Sequence, residues 1–485
     1  MEKILATTAR FLWDTPLIFA ILLTGFYFTL GSDFFQCKYF SHIMTKTFRK
    51  ILTKSKNNVS KGILSPLEAV STAIGGSVGV GNIGGVATAI AVGGPGAVFW
   101  MWITALIGMI IKAAEVTLAV YYRNTDEEGN SYGGPTYYIQ KGIGEEMNFK
   151  SWVIPALIFG AGIFSTFFIT IQNYTASEAI SSTFNISMVK VSIAYMFFTY
   201  FMVFGGIKYI GRIASKIVPI MCVFYIIAGI FIILKNAGNI GHSMVLIISS
   251  AFNGTAATGG FTGVAVSQVI RMGVSRAVFS SEAGWGISPM IHSTAKTDHP
   301  FKQGIWGAFE VFIDTIVICT ITSLVIITTG EWSSGLSGAT LALTAFQTGI
   351  GETGRCIVAV GVFLFGLTTS SGWYLYYEII LRHFLGERTD MKNLILKYYK
   401  IVYPFPGLIM VLYVINNGLP KNYVWYFADI TLAIPTFINI FSILILSNKF
   451  FELVKDYKAR YLGIGEIDED MYLFYEDFKN DTRNM

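Results

Sequence analysis

Six glycines and one side-chain amide share the stretch IGGSVGVGNIGG between Ile74 and Gly85. Each glycine costs a helix about 1 kcal/mol relative to alanine, so the cluster must serve something other than regular coil. Gly79, Gly81 and Gly84 spell G-x-G-x-x-G, a pattern that elsewhere cradles a pyrophosphate. That chemistry needs a preceding strand and an acidic residue about 20 positions on. Apolar helical sequence flanks the cluster on both sides and the next acidic residue is Glu115, so nucleotide binding is excluded. Two uses remain open. Gly75/Gly79 and Gly81/Gly85 are G-x-x-x-G pairs that let helix backbones approach. Alternatively the helix is broken, and its freed carbonyls and half-helix ends face a buried ligand. A second segment, AFNGTAATGGFTG from Ala251 to Gly263, repeats the composition. Positive half-helix ends suit a carboxylate, and carbonyls at the opposite ends suit Na⁺. With little bulk at Gly79, Gly81, Gly254, Thr255, Ala256, Gly259 and Gly260, the two segments describe a site for a small zwitterion beside a cation.

Such breaks need a water-free frame to matter, and the composition supplies one. Of 485 residues, 53% are hydrophobic and 13% charged, against roughly 25% charged in soluble domains; the mean hydropathy is +0.56. Apolar runs of about 20 residues cross a ~30 Å hydrocarbon layer. They predict eleven spans, near 15–32, 64–93, 96–122, 152–180, 188–206, 213–234, 244–270, 303–329, 354–381, 399–417 and 423–447. The chain reads as an all-α, multi-pass cell-membrane protein. The apolar piece at 338–350 is too short to span and is expected to lie on the surface. Unsatisfied backbone in lipid costs several kcal/mol per group, so a break there persists only where it lines a cavity or binds something. With the first span set aside, ten remain, and each glycine-rich segment falls in the first span of a five-helix half. Five is odd, so the halves are inverted, and paired broken helices in inverted repeats point to a transporter site. The expected organisation is an extra helix with a basic loop (1–61), two five-helix repeats (62–242 and 243–447) and a solvated tail (448–485). Lysine and arginine crowd every second loop, beginning with Lys38, Lys46, Arg49, Lys50, Lys54, Lys56 and Lys61. By the positive-inside rule the amino terminus is outside and the carboxyl terminus cytoplasmic.

Several motifs add a resemblance. VGVGNIGGVATAIAVGGPGAVFWMWITALIGMIIKAAEV, GGPTYYIQKGI, FSSEAGWGISPMIHSTA and ADITLAIP resemble the alanine or glycine:cation symporter family, over about Ser65 to Leu446. The resemblance implies a LeuT-type fold and import of alanine or glycine with Na⁺, occasionally H⁺, with glutamine or D-alanine as the substrate in a few members. It also implies roles. The carbonyls of Gly75 and Val78 would face Na⁺ with the hydroxyls of Thr368 and Thr369, a neutral oxygen set suited to a hard cation. Gly81 and Asn82, with Val78 at the same turn, would hold the substrate carboxylate, and Gln172 would reach it from the side. Thr369 and Trp373 would border the pocket, opposite Gly254, Thr255, Ala256 and Phe261. The chain departs from the common pattern at Val80, at NGTAATGGF and at Ser370 and Ser371. Substrate choice is more exposed to these departures than ion binding.

Intramembrane charges are functional suspects. Lys112 and Glu115, at i, i+3, are expected to form a structural or gating ion pair. Glu310, Asp314 and Asp429 offer a proton-coupled alternative, Asp314 being the deepest. RMGVSRAVFSSEAG is expected in a cytoplasmic loop that ties down an inner gate. Cys37, Cys222, Cys319 and Cys356 show no metal or redox spacing and read as apolar fillers. A channel would show a repeated filter or rings of charge, and an enzyme a clustered catalytic set; neither pattern is present. The expected partners are a small neutral amino acid, Na⁺ and the bilayer, with no organic cofactor, nucleic acid or obligate protein partner.

Overall fold

A computed structural model describes residues 2–52, 62–126, 129–168, 171–253, 265–386, 389–418 and 422–484. Helix α1 (Glu2–Leu12) passes through a π turn at Trp13–Leu17, where Pro16 lacks a backbone donor, into α2 (Ile18–Gly31). Short α3 (Phe35–Lys38) and α4 (Phe40–Leu52) follow. The next helix, α5 (Pro66–Ser77), has a reciprocal cap: Ser65 Oγ accepts the Glu68 N–H at 3.2 Å, and Glu68 Oε2 accepts the Ser65 N–H at 2.9 Å. Past Ser77 the axis bends by 45°, and a π turn at Gly81–Gly85 leads into α6 (Val86–Gly93). Then come α7 (Ala97–Tyr121), a hairpin of antiparallel β1 (Asn124–Thr125) and β2 (Ser131–Tyr132), and α8 (Pro135–Tyr138), which runs on as a π helix over Ile139–Glu146. Helices α9 (Val153–Phe167), α10 (Ile171–Phe184), α11 (Met188–Phe204) and α12 (Gly206–Lys235) follow.

Beyond α12 come α13 (Ile240–Asn253), α14 (Val266–Ser281) and short α15 (Ser288–His292). A long span is built from α16 (Pro300–Val311), a π turn at Phe312–Cys319 and α17 (Thr320–Thr328). After α18 (Gly338–Ile350) and the 34-residue α19 (Glu352–Leu385) come α20 (Thr389–Val402), α21 (Phe405–Asn417), α22 (Asn422–Ile445), α23 (Ser447–Leu462) and α24 (Tyr475–Asn484). Among the described residues, seven helical stretches are long and apolar enough to cross a membrane, eight with the bent pair Pro66–Ser77 and Gly81–Gly93; Ile18–Gly31 and Met188–Phe204 are shorter apolar helices. The centre is α7, packed along α16 and α14. Large apolar side chains such as Phe197, Phe201, Phe224 and Ile227 remain exposed on α11 and α12, as lipid-facing positions of a multi-pass membrane protein must.

Three elements differ from expectation. RMGVSRAVFSS is no loop: it forms most of α14, and Val269 to Ser281 are largely buried, with Arg276 held by Asp429 through two contacts of 2.6 Å. Pairing removes the cost that made the arginine look like a loop residue. Helix α18 is not superficial either. Leu341, Ala342, Ala345 and Phe346 are buried against α19, α6 and the Gly81–Gly85 turn. The carboxyl-terminal stretch is solvated over 463–470, as expected, but α23 before it is packed. Phe450, Leu453 and Tyr457 are buried, and Lys479 Nζ lies 2.6 Å from Glu145 Oε2. On the same face the buried His299 Nδ1 accepts the Phe301 N–H at 3.0 Å, while its Nε2 lies 3.1 Å from Asp456 Oδ2 of α23. Burial pushes the His299 imidazole down to about 4, with Asp456 opposing.

Candidate functional site

The bend between α5 and α6 is a true interruption of the coil. Val78 closes α5 with an N–H to the Ile74 carbonyl at 2.6 Å but takes an extended ψ of 101°. The turn that follows is held by a side chain: Asn82 Oδ1 accepts the Gly79 N–H at 2.8 Å. The glycines also let α19 come close. A Cβ at Gly76 would lie 2.6 Å from Tyr376 Oη, a Cβ at Gly372 would lie 3.0 Å from the Gly76 Cα, and a Cβ at Gly79 would overlap Thr369 Oγ1. Close packing and a broken helix, alternatives in the sequence, therefore occur together here.

Thr368 and Thr369 behave differently. Thr369 donates across the interface to the Gly75 carbonyl at 3.1 Å, so one predicted cation-site hydroxyl meets one predicted carbonyl. Thr368 bonds back to its own helix, to the Phe365 carbonyl at 2.9 Å. Its Cβ nevertheless lies 3.2 Å from where a Gly75 Cβ would stand. Val78 and Gly81 are buried at the same break. Gln172 is buried on α10, which packs along α19. Trp373 is buried too, donating its indole N–H to Glu282 Oε1 at 3.2 Å and crossing Trp285 edge-on at 5.4 Å. Gly254, Thr255, Ala256 and Phe261 lie outside the described residues, between α13 and α14.

Asn82 has a partner that local pattern did not reveal. Its Nδ2 donates to Asp314 Oδ1 at 2.6 Å and approaches Cys319 Sγ at 3.4 Å. Asp314 Oδ2 also accepts from Ser280 Oγ of α14 at 2.7 Å and from Thr315 Oγ1 at 2.8 Å. A fully buried carboxylate thus sits directly behind the broken turn, solvated by one amide and two hydroxyls. The only hint in the sequence was an acidic residue deep in an apolar span.

The expected Lys112–Glu115 pairing is corrected by the geometry. Lys112 Nζ lies 3.6 Å from Glu310 Oε1, both side chains being fully buried. Glu310 also accepts from Ser288 Oγ at 2.8 Å and faces His292 Nε2 at 2.8 Å. Glu115 is held instead by Asn439 of α22, which also donates to the Gly284 carbonyl at 2.8 Å. Spacing along one helix suggested the pair, but α16 lies across α7 and offers Lys112 the nearer carboxylate. Among the described residues no three His, Cys, Asp or Glu side chains gather as a metal site.

The described residues thus give a helical frame with several candidate membrane spans, one of them bent by 45° between Pro66–Ser77 and Gly81–Gly93. Comparison with solved structures agrees on the fold: MhsT in complex with L-phenylalanine matches at TM-score 0.57 and 17% identity, over 83% of this chain and 97% of that one. The chain belongs to the sodium:alanine symporter family, whose model matches residues 1–465. It is 36% identical to the sodium/alanine symporter AgcS of Methanococcus maripaludis, over 91% of this chain and 94% of that protein. It is also 34% identical to the probable sodium/glutamine symporter GlnT of Bacillus subtilis, over 94% and 91%. The protein is accordingly a cation-coupled amino-acid symporter and not an enzyme.

Proposed function

We propose that this symporter imports a small neutral amino acid, alanine or glycine, together with Na⁺, by alternating access around the break at Val78–Asn82. The observation that carries the reading is the meeting of Thr369 with the Gly75 carbonyl, beside backbone that has left the helix. The substrate carboxylate would take the N–H groups of the opened turn at Gly81 and Asn82, with Gln172 reaching it from the side and Trp373 walling the pocket. Gly254, Thr255, Ala256 and Phe261 would close the far side. Na⁺ would take the carbonyls of Gly75 and Val78 with the hydroxyls of Thr368 and Thr369, the Thr368 hydroxyl turning from its own helix to do so. The little bulk at Gly79, Gly81, Gly254, Thr255 and Ala256 would make a confined pocket, which rejects larger substrate side chains by overlap. In this reading eleven spans form two inverted five-helix repeats after one extra helix, the amino terminus is outside, and the basic face is cytoplasmic. Lys112, Glu310 and Glu115 hold the inner ends of α7, α16 and α22 together as a gate.

H⁺ coupling is the second reading, favoured by the buried Asp314 carboxylate hydrogen-bonded to Asn82. Counterflow in proteoliposomes tests both. Labelled alanine is exchanged against unlabelled alanine, glycine, glutamine and D-alanine, under Na⁺, under a proton gradient and in choline. Alanine or glycine exchange that requires Na⁺ supports the first reading; exchange in choline that follows the proton gradient and is lost in Asp314→Asn supports the second. Exclusive glutamine exchange would overturn the substrate assignment.

A further inference from the structure

On the basic face, away from the broken span, α4, α16 and α23 enclose a cleft of about 180 Å³ lined by Lys46, Thr47, Lys302, Trp306, Tyr457 and Tyr461. Its floor is apolar and aromatic: Trp306 and Tyr457 are buried, and Tyr457 Oη lies 2.9 Å from His42 Nε2. Its rim is cationic. Lys46 is exposed, and Lys302 Nζ stands 4.1 Å from the Tyr461 ring centroid. Two acids stand close by and are already engaged. Asp298 holds Lys302 at 2.7 Å, and Asp456 is shared by His299 and Arg460. The segment that supplies Lys46 carries seven lysines and arginines and no acidic residue between Phe34 and Leu67. Helix α4 also presents rings beside that charge. Phe48 is 45% exposed while stacking edge-on against Phe309 at 5.1 Å.

Aromatic rings with lysines on a helix next to a membrane span are the chemistry of an interfacial lipid contact. A free phosphate would have no use for the aromatic floor. We propose that this cleft binds the headgroup of an anionic phospholipid, with the phosphate against Lys46 and the upper chain region along Trp306 and Phe48. The cleft lies beside the first turns of the candidate span that begins at Pro300, where a lipid of the adjacent leaflet would reach it without leaving the bilayer.

The test uses the full chain in phosphatidylcholine vesicles with and without phosphatidylglycerol, followed by detergent extraction and mass spectrometry of the retained lipid. Wild type should retain phosphatidylglycerol in preference to phosphatidylcholine. Lys46→Gln should lower that preference about fivefold, the effect of one cation at the membrane surface, and Lys46→Arg should keep it. Phosphatidylglycerol should raise the melting temperature of the wild type, whereas inorganic phosphate added to phosphatidylcholine vesicles should leave it unmoved. Lys46→Gln should melt like wild type in phosphatidylcholine alone, because the side chain is exposed. Equal retention by wild type and Lys46→Gln would overturn the proposal, and so would stabilisation by inorganic phosphate alone.

Discussion

Around Val78–Asn82 the chain meets its neighbours mostly through neutral groups. Thr369 bonds a carbonyl, the glycines present bare backbone to α19, and Asn82 bonds its own turn while screening a nearby carboxylate, Asp314, behind its amide. Around Lys112 and Glu310 it does so through formal charge that is fully buried. Neutral hydrogen bonds contribute about 1 kcal/mol each and exchange readily for a solute or an ion. A buried ion pair resists exchange, because removing one partner strands the other in a low dielectric. This difference fits the proposed roles, the first region taking up and releasing cargo and the second holding helices in register while it does so.

Substitutions can separate these roles. The largest effect should come from Asn82→Ala, which removes both the bond that shapes the turn and a donor to Asp314. Uptake should fall to background, and the unmet carboxylate should lower stability by about 1–3 kcal/mol. Uptake by a liposome assay and a melting curve read the two parts, and wild-type uptake would remove Asn82 from the site. Glu310→Gln comes next. It strands Lys112 and should cost about 3–5 kcal/mol, most of which a compensating Lys112→Met should restore in thermal unfolding. A smaller change is expected of Thr369→Ala, which should raise the Na⁺ needed for half-maximal uptake about three- to tenfold, the loss of one hydrogen-bonding partner. Thr368→Ala should raise it less, since that hydroxyl must first leave its own helix. An unchanged requirement in both would move the ion elsewhere.

The mildest effect is confined to acid. His299 is held neutral by burial, with a folded pKa of about 4 against 6.5 unfolded. The unfolded chain thus binds more protons between those values, so stability rises with pH there: it is full above about 6.5 and is lost as pH falls toward 4. Protonation would place a hydrogen on Nδ1, where the Phe301 N–H now donates. Melting temperature followed against pH should fall over this window, and His299→Gln should flatten the fall.

How much of this was legible depended on whether the signal was local. The break at Val78 was readable because glycine advertises backbone freedom by the absence of a side chain. The extents of α7 and α18 were likewise readable, from the length of their apolar runs. Partnerships across the fold were not readable. Asn82 and Asp314 are separated by 232 residues, and no pattern along the chain joins them. Lys112 had a tempting carboxylate one turn away, but its real partner arrives on another helix. Arg276 made α14 look like a loop because its neutralising Asp429 stands 153 residues on. Helix α18 seemed superficial because a short apolar segment does not reveal that the broken span leaves room beneath it.

The proposal that one opened backbone grips solute and ion together is tested most directly by equilibrium binding of alanine to the purified protein, with Na⁺ present or replaced by choline at constant ionic strength. Shared use of the Gly75–Asn82 segment predicts clearly weaker alanine binding in choline. Equal affinity in the two media would contradict it.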